Sequence, residues 1–74
     1  MNEPTREEVL KTAKIEWHRA VIEWHQKALE AIDKGVPIQK IMEYYYPVNV
    51  LWGKVIESYT RCLEKEIKAW EENH

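Results

Sequence analysis

Apolar residues recur along this chain three or four positions apart, the spacing of one helix face, and no stretch keeps the two-residue alternation of a strand. The first such pattern opens at Thr5-Arg6-Glu7-Glu8, a capping box. There the Thr5 hydroxyl accepts from the Glu8 amide and the Glu8 carboxylate reaches back to the Thr5 amide. Nothing interrupts the pattern until Gly35, which supplies a low-strain left-handed stop after Lys34. A helix over about 6–34 is predicted, past the length of ~25 residues at which coiled coils and extended bundles come into view. Val36-Pro37 opens a second segment. Ile38, Ile41, Met42 and Tyr45 share a face there, and Pro47 closes it, so a short helix over about 37–45 is predicted. A third helix follows over about 49–72, with Asn49 as its cap and Gly53 weakening its first turn by roughly 1 kcal/mol relative to Ala.

A seven-residue repeat lies inside the first helix. Ile15-Glu16-Trp17-His18 is followed one heptad later by Ile22-Glu23-Trp24-His25. On a helix this spacing drifts by only ~20° per repeat, so the isoleucines, tryptophans and histidines each form a stripe. The polar face holds Glu16, Arg19, Glu23, Gln26, Lys27, Glu30 and Asp33. The rest of the wheel, roughly 200° at ~100° per residue, is apolar, twice the sector an ordinary surface helix needs. The excess implies cover from two sides, and a second chain is the natural second cover. The third helix carries its own apolar sector: Leu51, Trp52, Val55, Ile56, Tyr59, Cys62, Leu63, Ile67 and Trp70, with Glu66 inside it.

Composition narrows the reading. Seventy-four residues allow one domain, 1–74, and a domain of this size buries only ~60% of its unfolded surface. One cysteine excludes an internal disulfide, so oligomerisation is the expected supplement to a small core. Cys62 is expected to be a buried, inert thiol. Eleven basic against thirteen acidic side chains, scattered rather than clustered, argue against a nucleic-acid clamp. No apolar run approaches the ~20 residues of a membrane span, and the acidic start Met-Asn-Glu-Pro-Thr-Arg-Glu-Glu is unlike a signal peptide, so a cytoplasmic protein is expected. Four Trp and four Tyr with no Phe point to half-buried contacts, since both pair an apolar ring with a polar tip.

Candidate chemistry is sparse. His18 and His25 are ~10 Å apart along one helix, too far to share an ion, and Glu-x-His is not the Glu-x-x-His of carboxylate-bridged metal bundles. If the two long helices run antiparallel, matching His18 with Glu66 also matches His25 with Tyr59, which would build a buried polar layer fixing register. No positioned nucleophile or oxyanion donor indicates an enzyme. Tyr44, Tyr45 and Tyr46 spread over ~200° of a helix, so at least one is exposed or contacts something other than the core; either they wedge the corner between helices or they form an aromatic partner surface. A helix-turn-helix reading through Tyr46-Pro47-Val48 finds only Asn49 and Lys54 to read bases or grip phosphates.

The expected protein is therefore all-α, a long–short–long helical hairpin-like unit that assembles as a dimeric or larger bundle. The expected function is a self-associating protein–protein interaction or regulatory module. Ile15, Trp17, Ile22 and Trp24 form the oligomer contact, and the partners are a second copy and a further protein. No cofactor, metal or membrane is expected. A DNA-binding regulator, or a metal- or ligand-binding bundle using His18, His25 and Glu66, are the alternatives.

Overall fold

The structure, a computed structural model, describes residues 5–73. It is all-helical among those residues: α1 spans Arg6–Asp33, α2 Ile38–Met42 and α3 Gly53–Asn73. The capping box of α1 forms in full, with the Glu8 amide donating to Thr5 Oγ1 at 3.2 Å and the Thr5 amide donating to Glu8 Oε2 at 3.4 Å. At the other end Gly35 takes φ +88°, the left-handed conformation that a side chain resists. The Gly35 amide donates to Ile32 O and the Val36 amide to Ala31 O, both at 3.0 Å. This is a Schellman stop, and Val36 and Ala31 are both buried, the apolar contact that accompanies it.

The two later helices are shorter than the periodicity predicts. Beyond Met42 the amides of Tyr44 and Tyr45 reach back only three residues, to Ile41 and Met42, and the chain then leaves the helix. Asn49 is not a cap. It lies in a turn where the Val50 amide donates to Pro47 O, and α3 starts four residues later, its first bonds closing on Trp52 O. Gly53 opens α3 because the helices meet there: a Cβ at Gly53 would sit 2.9 Å from the carbonyl oxygen of Glu16.

The long helices run parallel, and the expected hairpin is corrected. Gly53 lies against Glu16, Arg61 pairs with Glu23 at 2.8 Å, Glu64 with Lys27 at 3.2 Å, and Glu71 with Lys34. Each partner on α3 lies 37 or 38 residues beyond its partner on α1. That constant difference is possible only if both helices advance in the same direction. The antiparallel leg is instead the segment 36–52, which carries α2 and returns along α1. Two tryptophans hold it there. Trp24 Nε1 donates to Tyr44 O and Trp17 Nε1 to Val50 O, both at 2.9 Å, giving irregular backbone the donors it lacks.

The core lies between these three legs. α1 contributes Ala20, Trp24, Ala28 and Ala31; α3 contributes Ile56, Thr60, Leu63 and Ile67; the return adds Val36, Ile41 and Tyr46. The alanines let α3 approach closely, and Trp24, only 2% exposed, fills the wider gap beneath the return. Buried Thr60 donates its hydroxyl to Ile56 O at 3.2 Å, which satisfies it within its own helix.

Candidate interaction surface

One side of α1 is only partly covered by its own chain. Ile15, His18, Ile22, His25, Leu29 and Ile32 are spaced alternately three and four apart, the a and d positions of a heptad pattern. All six are exposed, the aliphatic ones by 45% at Ile15, 56% at Ile22, 62% at Leu29 and 47% at Ile32. Four half-bare aliphatic side chains in a line are unusual on a lone small chain, whose exposed apolar groups are ordinarily scattered.

The heptad repeat explains why the stripe is straight. Each unit of Ile-Glu-Trp-His sends its tryptophan inward to the return segment and its glutamate towards α3, leaving isoleucine and histidine outside. Glu23 thus meets Arg61, and Glu16 meets Gly53. The histidine rings are steadied from the inner side. His18 lies edge-on to Trp17 at 4.7 Å between centroids, and His25 edge-on to Trp24 at 5.1 Å. His25 Nε2 is also 3.2 Å from the Tyr46 hydroxyl. On one flank of the stripe stand exposed Arg19, Gln26 and Asp33; on the other are Lys14, half-buried Val21 and buried Ala28, beside the return. Near its start, Leu10, Ala13, Lys14, Trp17, His18 and Leu51 line an open cleft of about 400 Å³. From Thr5 to Glu16 every residue of α1 is exposed, because α3 begins level with Glu16.

The residues singled out in the sequence divide accordingly. Ile15 and Ile22 lie on the stripe. Trp17 and Trp24 turn instead to the chain's own return segment: one is half-buried and the other buried, both bonded to that segment. Tyr44, Tyr45 and Tyr46 pack at the corner of the return segment. Tyr46 is buried and the other two half-buried, with Tyr45 stacked on Tyr46 at 4.8 Å and edge-on to Trp24 at 4.8 Å. They leave the helix before their ~200° spread would expose one.

The polar layer of His18, His25, Tyr59 and Glu66 is not built. Both histidines are exposed, and the parallel direction sets His18 level with the first turns of α3, far from Glu66 near its end. Glu66 instead accepts from the Tyr44 hydroxyl at 3.2 Å and faces Lys40 at 3.6 Å. Burial, and then the Glu66 carboxylate, hold the Tyr44 phenol above its ordinary pKa of 10.0. Burial raises the Tyr46 phenol likewise, helped by the neighbouring Tyr45. Tyr59 is half-buried on α3. Cys62 is free and exposed rather than buried, since the core face of α3 runs through Ile56, Thr60, Leu63 and Ile67.

Leu29 and Ile32 are the stripe residues that the repeat does not reveal. They continue the a and d positions one heptad past Ile22 and His25, but with different residues, so identity ends where the apolar spacing goes on. Among the described residues no group of three or more His, Cys, Asp or Glu could hold a metal ion. None of the described helices is long and apolar enough to cross a membrane. The Tyr46-Pro47-Val48 corner belongs to a connection over 43–52, not to the short turn of a helix-turn-helix. No family model matches this chain, and no curated protein or solved structure matches it either.

Proposed function

We propose that the protein is a self-associating helical interaction module, acting as a regulator or adaptor, whose contact is the α1 stripe and whose first partner is a second copy of itself. The observation that supports this most is the line Ile15, Ile22, Leu29 and Ile32, left half-bare at heptad spacing on α1. A core this small also gains from association, since burying each aliphatic side chain contributes about 1.5–3 kcal/mol at full burial. The exposed free thiol of Cys62 suits a reducing compartment, which supports a cytoplasmic setting.

Sedimentation equilibrium at 5–200 µM (a range of about 40-fold, chosen to bracket a micromolar constant) tests the reading. The wild type is expected as a dimer or larger. Ile22→Asp with Leu29→Asp is expected to be monomeric with the same helical circular dichroism, because both positions are exposed within the chain. A wild type that stays monomeric across the range would refute self-association.

A further inference from the structure

We infer that the second copy docks antiparallel on the stripe, with Ile15 opposite Ile32 of the second copy. This rests on self-association through α1 and specifies its geometry. Reversing one helix against the other sets each a position opposite a d position. His18 then faces Leu29 of the second copy, and Ile22 faces His25 of the second copy, so the two-fold axis passes between the two symmetry-related Ile22–His25 layers. Each imidazole meets an aliphatic side chain. A parallel pair would instead stack His18 on His18 and His25 on His25.

The charges beside the stripe decide between the two directions. In the antiparallel pair the e positions of the two copies face each other. These are Arg19, Gln26 and Asp33, a cation, a neutral amide and an anion in order. Reversal brings Arg19 of one copy towards Asp33 of the other, twice by symmetry, with the two Gln26 side chains meeting at the axis. The pair is offset by about 7 Å along the helices, a gap closed by the length of arginine and the backward tilt of both side chains. Among the described residues neither Arg19 nor Asp33 has an ion pair within its own chain, whereas Lys27, Glu30, Lys34, Arg61, Glu64 and Glu71 all do. The other flank offers no charge conflict, since Lys14 is the one charge among Lys14, Val21 and Ala28. A parallel pair would set Lys14 against Arg19 of the second copy, two like charges, and Asp33 against Ala28.

Directed disulfides test the inference in a Cys62→Ser background. Ile15→Cys chains and Ile32→Cys chains are mixed in equal amounts and brought to equilibrium in a glutathione redox buffer. The antiparallel register brings only unlike chains within bonding range; like positions lie ~25 Å apart, far beyond the 4.4–6.8 Å between Cα atoms that a disulfide spans. Mixed dimers, each joining one Ile15→Cys chain to one Ile32→Cys chain, are therefore expected to dominate. Dimers of Ile15→Cys with itself would establish the parallel pair and overturn the inference. A sedimenting dimer that forms no disulfide would place the contact off the stripe and overturn it as well. Both outcomes leave self-association standing, whereas a monomeric wild type removes it, so the two failures are distinct. Charge reversal gives a second reading: Arg19→Asp and Asp33→Arg are each expected to weaken dimerisation by roughly 2- to 30-fold, and the double variant to recover most of it. Additive losses would overturn the pairing.

Discussion

Replacing Trp24 with Phe would keep most of the buried ring but remove the N–H that Tyr44 O accepts. A carbonyl left without a donor costs about 1–3 kcal/mol, so Trp24→Phe is expected to lower the stability read from urea unfolding by that amount, and Trp17→Phe by less because Val50 can turn to water. A Trp24→Phe chain as stable as wild type would mean that the return segment is held by packing alone. Gly53 is a case of two opposed effects. Alanine there would gain roughly 1 kcal/mol of helix propensity, but its Cβ would stand 2.9 Å from the Glu16 carbonyl oxygen, a backbone atom fixed within α1. Overpacking of this kind costs about 1–3 kcal/mol, so Gly53→Ala is expected to destabilise by up to about 2 kcal/mol in the same assay.

Between elements, the parallel register is written in charge. Arg61 bridges Glu23 and Glu64, Lys27 bridges Glu30 and Glu64, and Lys34 bridges Glu30 and Glu71. The hydrogen bonds of Arg61 and then Lys27 hold the Glu64 carboxyl below its ordinary 4.5, and those of Lys27 and then Lys34 do the same for Glu30. Because these folded pKa values are depressed, the stabilisation is complete above about pH 4.5 and is lost as pH falls through the lower folded values. The pairs lie at the surface, so salt weakens them. Urea midpoints are expected to fall on acidification below about pH 4.5, more steeply at low ionic strength than in about 1 M NaCl. An acid limb unaffected by Glu64→Gln would show that the ladder contributes nothing. Tyr44 and Tyr46 contribute to the alkaline limit. Their raised folded values favour the neutral phenol, so stability is expected to decline as pH rises above about 10.

At the scale of the whole molecule, shape and stability both point outward. The radius of gyration is 15.3 Å, against ~11 Å for a compact chain of this length, and the extents are 55 × 23 × 15 Å. A rod so thin has little interior, and its longest helix carries the bare stripe. If association covers that stripe, the thermal midpoint depends on concentration. A tenfold increase in protein is expected to raise it by about 3–6 °C for a dimer of chains this size. A midpoint constant over two decades of concentration would mean that the stripe stays in water during unfolding.

Much of this protein follows from local rules acting on neighbouring residues. The Thr5–Glu8 capping box, the left-handed Gly35, the absence of strand periodicity and the long–short–long order are properties of a few consecutive side chains, and each is realised as read. The heptad repeat likewise announced its three stripes. Which stripe faced inward was a different matter. Trp17 and Trp24 looked like contacts for another chain because nothing local reveals that a return segment with unpaired carbonyls will lie across them. Direction was decided at the same level. Two helices joined by a short turn default to antiparallel, but the return segment occupies that place and leaves α3 to run parallel. Only the tertiary structure places Glu66 beside Tyr44 rather than His18, exposes both histidines and turns Cys62 to solvent. Periodicity specifies the angle of a residue about its own helix; what lies at that angle is set by the packing of segments far apart in the chain.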